Sequence, residues 1–319
     1  MAEMLKIHQK LFALILVCVF FVIYSNSRWL RISFSNVFTQ NSVIYRHRQY
    51  IMRSVCQQNN LTGNSSYQIH PFVARQLFVE HTHRFIYCEV PKVGCTNWKR
   101  IILLLNKTLG ATLNDLEHNS VHTHPLLTKL SAYSPTEQAE LLNNYTKVMF
   151  VRDPLQRLVS AYRDKFLHED EEYYYDTVAK IIKRSIGRSE NSTGKITFEE
   201  FARFVVQENP LYRDTHWKPM YELCDPCNIR YDIVGKFETM KRDSDFVLKT
   251  IKAPKNLAYP SIKHYANETR TSKEISMRFF SSLSYMVLEK LMAVYRVDFA
   301  MFDYIPLNNS IVRKHFWRI

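Results

Sequence analysis

The stretch Phe85–Leu105, FIYCEVPKVGCTNWKRIILLL, decides the fold. Phe85, Ile86, Tyr87, Cys88 and Val90 are apolar, bulky or β-branched, the content of a buried strand. Pro91 ends that strand, and a helix is predicted over Trp98–Leu105 with Thr96 or Asn97 as its cap. Between them lies the turn Pro91-Lys92-Val93-Gly94-Cys95-Thr96-Asn97. A strand–turn–helix of this kind aims backbone N–H groups and the positive end of a helix at an anion. Gly94 lets the backbone come close, Lys92 supplies a point charge, and Thr96 and Asn97 add donors. The ligand this chemistry suits is a phosphate or a similar group. It is not the Walker loop, whose lysine follows the second glycine, because Lys92 precedes the only glycine of the turn.

A second unit repeats the pattern. Lys147–Val151 reads as a strand and runs into Arg152-Asp153-Pro154. Asp153 is a good N-cap, Pro154 suits the first helical position, and Gln156 lies three residues after the cap, as in a capping box. The helix buries Leu155, Leu158, Val159, Tyr162 and Phe166 at 3.6-residue spacing. Arg152 is left at the mouth of the strand, with Arg157, Ser160, Arg163 and Asp164 off the apolar stripe. An arginine fork with a hydroxyl suits a dianionic phosphate.

The motif P-K-V-G-C-T-N-W-K-R resembles the 5′-phosphosulfate loop of the sulfotransferases, and R-D-P-x-x-R-L-x-S-A-Y resembles their 3′-phosphate site. More narrowly, the chain resembles the Golgi carbohydrate sulfotransferases that include the chondroitin and N-acetylgalactosamine 4-O-sulfotransferases. Further matches follow in order: His216-Trp217, Cys224-x-x-Cys227 and Tyr231-Asp-x-Val-Gly-Lys-Phe-Glu-Thr239. The resemblance implies an α/β fold with a central parallel sheet flanked by helices, a P-loop-like nucleotide-binding sulfotransferase fold. It implies transfer of a sulfuryl group from 3′-phosphoadenosine 5′-phosphosulfate to a glycan hydroxyl, most closely the 4-position of N-acetylgalactosamine, with no metal. Pro91, Lys92, Val93, Gly94, Cys95, Thr96 and Asn97 then hold the 5′-phosphosulfate, and Arg152 and Ser160 the 3′-phosphate. Lys92 also neutralises charge developing on the leaving phosphate.

Transfer needs a base for the acceptor hydroxyl proton, and histidine suits that task near neutral pH. His118, His122 and His124 lie between the two phosphate motifs. By the resemblance His122 is the base, His124 is second, and His216 is a third candidate. The three clustered histidines lack the spacing and carboxylates of a metal site. Tyr173–Tyr175, after an acidic run, reads as a surface loop. Lys236 either adds charge near the nucleotide or holds a turn.

The chain has 319 residues, 46% of them apolar, and a net charge of +13. That length buries one sizeable domain, and the charge favours anionic partners. No nucleic-acid motif accompanies the charge, which leaves anionic nucleotides and sulfated or uronic-acid polysaccharides; the resemblance implies an anionic or amino-sugar glycan as the acceptor, and a homo-oligomer is compatible with the sequence. Leu11–Tyr24 is an uninterrupted apolar run. It reads as an uncleaved signal anchor, a single transmembrane helix over residues 11–26, with a cleaved signal peptide as the alternative. Residues 1–10 are then a cytosolic tail, 27–71 a lumenal stem with helix around Val43–Val55, 72–305 the catalytic domain, and 306–319 a basic tail. The setting the resemblance implies is the Golgi membrane, single-pass type II, with the catalytic domain in the lumen. Seven N-x-[ST] sequons, at Asn60, Asn64, Asn106, Asn144, Asn191, Asn267 and Asn308, suit that side of the membrane. Outside the apolar run the cysteines are Cys56, Cys88, Cys95, Cys224 and Cys227, an odd number. A structural disulfide, within the CxxC pair or to another cysteine, is expected. Two other classes bind such partners: a P-loop kinase, which requires a Gly-Lys-Ser/Thr and magnesium, and a non-catalytic glycosaminoglycan-binding protein.

Overall fold

In the computed structural model, residues 42–63, 68–106, 116–169, 171–262 and 267–307 are described. Two compact units divide the chain, Met1–His47 and Arg48–Ile319. Of the first, only residues 42–47 are described, and all of them are helical. The apolar run expected to anchor the chain, and the basic tail from residue 308, lie outside the described residues. No helix among the described residues is long and apolar enough to cross a membrane.

The second unit is built on a four-stranded sheet in the order β1 (Leu77–Glu80), β2 (Phe85–Cys88), β3 (Thr146–Val151) and β4 (Ile233–Lys236). β2, β3 and β4 are parallel, in the register Cys88↔Met149 and Val151↔Lys236. β1 is antiparallel to β2, so the sheet is mostly rather than wholly parallel. All of β1 and β2 is buried, which explains the continuous apolar reading of β2.

The decisive stretch folds as strand, turn and helix, with one shift. The helix runs Cys95–Leu105, beginning three residues before the expected start. Its N-cap is Gly94, at φ 83° in the left-handed region, and no side chain caps it. A glycine that starts the helix this way leaves Thr96 and Asn97 free for other partners. Trp98 is fully buried and packs between Tyr87 and Phe150, ring centroids 5.5 and 5.0 Å away. This aromatic layer fixes the first helix on the sheet.

The second unit of the pattern folds as read except that Asp153 caps the helix alone, with no returning Gln156 bond among the described residues to complete a capping box. Asp153 accepts from the Gln156 N–H at 2.9 Å, and the helix runs Pro154–Phe166 with its apolar stripe buried. That stripe joins a second core around Phe198, Phe201 and Trp217, formed with the helices Phe198–Gln207 and Tyr285–Val294.

Residues 48–58 are helical and belong to the second unit, although the stem was expected to continue to residue 71. Arg48 donates to the buried Asp243 and to the Val234 carbonyl, both at 2.7 Å, and Cys56 is bonded to Cys227. An ion pair and a disulfide hold this helix, where a long apolar period would have signalled it. Cys88 pairs with Cys224, so both members of the CxxC reach out to distant partners. Cys95 is the free, buried cysteine.

Candidate active site

Parallel strands deliver their following turns to the same edge of the sheet. Here the turns after β2, β3 and β4 border one cavity of about 540 Å³, within the size range of small-molecule sites. From the first turn it takes Pro91, Lys92, Gly94, Cys95, Thr96 and Asn97; Val93 is fully buried and does not line it. The second contributes Arg152 and Ser160, and His122 and His216 join them. His124 is elsewhere, its Nδ1 accepting from the Leu126 N–H at 3.3 Å. Six basic side chains among the described residues line the cavity, against three acidic ones, so its field favours an anion. A larger cavity, about 1200 Å³, sits where β3 and β4 begin and contains neither turn.

The two turns are physically joined. Arg152 donates to the Lys92 carbonyl at 3.1 Å and to the Thr271 carbonyl at 2.5 Å, with its guanidinium over the Phe237 ring at 4.1 Å. Burial pushes its pKa down to about 10, against the pull of Glu238 and Asp153, so it stays charged at neutral pH. Its buried Nε keeps no hydrogen-bond partner among the described residues. Arg157, fully buried, donates to the carbonyls of Pro91, Thr215 and Lys218 at 2.9, 2.7 and 2.7 Å. It braces the first turn against the segment that carries His216.

Lys92 sits at φ 69°, left-handed for a non-glycine residue, and its ammonium meets Asp164 at 2.8 Å. Asp164 also meets Lys165 at 3.1 Å, and Lys165 meets Glu171 at 2.8 Å. Burial pulls the Lys92 pKa down while Asp164 opposes the fall. Burial pushes the Asp164 carboxyl up, but the two ammonium groups outweigh it and hold it well below the usual carboxylate range. At Gly94 the backbone approaches the wall so closely that an added Cβ would collide with the Tyr259 hydroxyl, which donates to the Gly94 carbonyl at 3.1 Å.

The two histidines are held differently. His122 has Lys99 Nζ 2.9 Å from Nδ1 and Thr96 Oγ1 3.1 Å from Nε2. Its ring opens on the cavity, yet partial burial and then Lys99 and Lys165 push its pKa down to about 4. His216 has Asp214 Oδ1 at 2.8 Å and Tyr174 Oη at 2.9 Å, both from Nδ1. Burial lowers its pKa while Asp214 opposes the fall. Trp217 next to it is core, 1% exposed, with its indole N–H on Glu208 at 2.9 Å.

Several wall residues gave no usable sequence signal. Tyr259, Ile262 and Glu268–Thr271 come from an irregular segment without periodicity. Tyr174, expected in a surface loop, lies in a short π-helix, Tyr173–Val178, and its hydroxyl donates to Asp214 at 3.0 Å. The reason is its ring, packed on Phe166 and Trp217, while Tyr173 stays 61% exposed. Lys236 turns away from the cavity and donates to the Asp303 carbonyl at 3.0 Å, holding a turn.

The description "Sulfotransferase family" matches residues 75–305. The chain belongs to the sulfotransferase family. It is 37% identical over 266 residues to carbohydrate sulfotransferase 8 of Mus musculus, covering 81% of this chain and 63% of that protein. It is 34% identical over 280 residues to carbohydrate sulfotransferase 11 of Rattus norvegicus, covering 83% and 77%. With carbohydrate sulfotransferase 14 of Danio rerio it shares 35% over 280 residues, covering 85% and 74%. The chain thus spans less than two thirds of the length of some of the sulfotransferases it matches. No solved structure matches it.

The site fits the donor of that family. A dianionic phosphate needs a cationic fork and a hydroxyl, which Arg152 and Ser160 bring to one cavity, and the Arg152 Nε–H still lacks an acceptor. A phosphosulfate needs close backbone approach beside a cation, which Gly94 and Lys92 provide. Among the described residues no cluster of three or more His, Cys, Asp or Glu could hold a metal ion.

Proposed function

We propose that the protein transfers a sulfuryl group from 3′-phosphoadenosine 5′-phosphosulfate to a glycan hydroxyl. One observation carries this reading: two phosphate-type turns, on adjacent parallel strands, meet over one basic cavity and are tied together by Arg152 on the Lys92 carbonyl. The first turn takes the 5′-phosphosulfate, with Lys92 facing the leaving phosphate oxygen and stabilising the charge it acquires. Arg152 and Ser160 take the 3′-phosphate. An imidazole on the cavity wall accepts the acceptor proton; the sequence resemblance favours His122 for that task. A carbohydrate acceptor is supported by the names of the relatives. The 4-position of N-acetylgalactosamine, in chondroitin, dermatan or a related glycan, is supported by the sequence resemblance alone.

The same reading places the enzyme at the Golgi membrane with its folded unit in the lumen. Two disulfides and the seven sequons support that side of the membrane. Glycosidase treatment should lower the apparent mass, and alkaline carbonate should leave the protein in the membrane; release with a new N-terminus near Ser27 would oppose the anchor.

The deciding experiment incubates the protein with radiolabelled donor and a panel of desulfated glycans, then maps the product. Label on a glycan hydroxyl supports the proposal. Magnesium-dependent transfer from ATP would replace it with a kinase, and glycan binding without nucleotide binding would replace it with a non-catalytic module.

A further inference from the structure

Two imidazoles reach the cavity, and their hydrogen bonds set which ring nitrogen can accept a proton. At His122 both nitrogens are engaged. Lys99, buried and ion-paired to Glu89 at 2.5 Å, is a donor only, so Nδ1 must accept from it. The neutral ring then carries its own proton on Nε2, directed at Thr96. In that tautomer neither nitrogen offers a lone pair to a substrate.

His216 is arranged the opposite way. The Asp214 carboxyl is pushed up by burial, but its bonds to His216 outweigh that and hold it below its ordinary value, so it is a carboxylate. A carboxylate oxygen 2.8 Å from Nδ1 requires a proton between them, which fixes the neutral ring as Nδ1–H. The surrounding bonds agree: Tyr174 donates its hydroxyl proton to the other Asp214 oxygen, and the His216 backbone N–H donates to Asp214 Oδ1 at 2.8 Å. Nε2 has no hydrogen-bond partner among the described residues, and the ring lines the same cavity as Lys92 with its side chain 23% exposed.

We infer that His216, oriented by Asp214 and Tyr174, is the general base that takes the acceptor hydroxyl proton. The inference rests on the sulfuryl-transfer reading above. His216 Nε2 receives the hydroxyl proton as the acceptor oxygen forms its bond to sulfur. The bond from sulfur to the 5′-phosphate oxygen breaks, its electron pair stays on that oxygen, and Lys92 faces the charge. Asp214 stabilises the imidazolium, which then returns its proton to water. Asp214 is a positioning residue: it acts through the ring and does not touch the acceptor.

The first test needs no substrate. Long-range ¹H–¹⁵N correlation spectra of the ligand-free protein, with His216 assigned by its loss in His216→Ala, should show the proton on Nδ1 and a lone pair on Nε2 at neutral pH. A neutral ring protonated on Nε2 overturns the inference. The second test is kinetic. His216→Ala should lose roughly 10²–10⁴-fold in kcat with donor affinity within about twofold of wild type. Added imidazole should restore part of the rate. Wild-type turnover in His216→Ala overturns the inference, and so does a larger kcat loss in His122→Ala than in His216→Ala.

The third test separates orientation from mere support. The charged and titratable groups acting on His216 include Asp214, Lys165, Lys92 and His122, with Tyr174 bonded to its ring. Removing the carboxylate in Asp214→Asn should move the acid limb of the kcat profile to lower pH, and Asp214→Glu should move it back. An unmoved limb assigns Asp214 a purely structural role and removes it from the proposal. If the wild type binds donor but sulfates no glycan, the transfer reading fails, and the tautomer spectrum still judges His216 independently.

Discussion

Replacing Arg157 by Met is the most exacting test of how the cavity is held together. Methionine keeps much of the volume of the arginine stem but offers no donors. In the native protein the guanidinium satisfies three carbonyls, of Pro91, Thr215 and Lys218. Each carbonyl left unsatisfied in a buried position loses about 1–3 kcal/mol, so the substitution should destabilise by roughly 3–9 kcal/mol. If the part-buried Thr215 carbonyl finds water, two carbonyls remain and the loss is roughly 2–6 kcal/mol. Against a total stability of about 5–15 kcal/mol, even 3 kcal/mol is a large fraction. The measurement is equilibrium urea unfolding followed by tryptophan fluorescence, which reports directly because Trp98 and Trp217 are both buried. Arg157→Lys should fall between wild type and Arg157→Met, since one ammonium cannot span the three carbonyls. A loss below about 1 kcal/mol in Arg157→Met would show that these carbonyls have other partners and would refute the brace.

Lys92→Ala should act on the transition state and lower kcat, whereas Arg152→Ala should mainly weaken donor binding; wild-type donor affinity in Arg152→Ala would remove it from the 3′-phosphate site. Gly94→Ala should weaken donor binding at least tenfold, because the added methyl meets the Tyr259 hydroxyl and the backbone is left-handed. Adding Tyr259→Phe should recover only the steric part, and full recovery would show that the backbone angle is irrelevant. Non-reducing peptide mapping should find Cys56 joined to Cys227, Cys88 joined to Cys224, and Cys95 alkylated; a bond between Cys224 and Cys227 would contradict the fold. Opening the Cys56–Cys227 link, whose loop is shortened to roughly 36 residues by the intact Cys88–Cys224 bond, should destabilise by about 4 kcal/mol on loop entropy, read as a shift in the urea midpoint.

The sequence carried the two strand–turn–helix units because each announces itself locally. A β-rich run, a proline, small polar residues and a 3.6-residue stripe all lie within about twenty positions of one another. Their convergence was legible too, since parallel strands in sequence order put Lys92 and Arg152 on one edge. The start of the first helix was misplaced, because polar capping residues are common at helix starts, whereas here a left-handed glycine takes that position. The far wall escaped because Tyr259 and Thr271 act from an irregular segment, by one hydroxyl and one carbonyl, and such contacts have no period. Arg157 and Tyr174 escaped for a related reason. A buried arginine that bonds only to carbonyls, and a tyrosine set by its ring packing, depend on neighbours 58 to 66 and 40 to 42 positions away.

The crossed pairing of the CxxC has a consequence for how the chain matures. Cys56 and Cys88 are synthesised well before either of their partners, so in an oxidising compartment, as proposed above, each meets the other first. A bond formed at that stage would be non-native. The next pair to emerge, Cys224 and Cys227, have only two residues between them and can close on each other just as readily. Once such bonds have formed, reaching the final linkage takes thiol–disulfide exchange on a timescale of seconds to hours, with a thiolate released at every step. On the proposed lumenal location, the yield of native protein should accordingly track the supply of disulfide isomerase more closely than the supply of oxidant, and a pulse–chase on non-reducing gels would show early species that mature without any change in their number of free thiols.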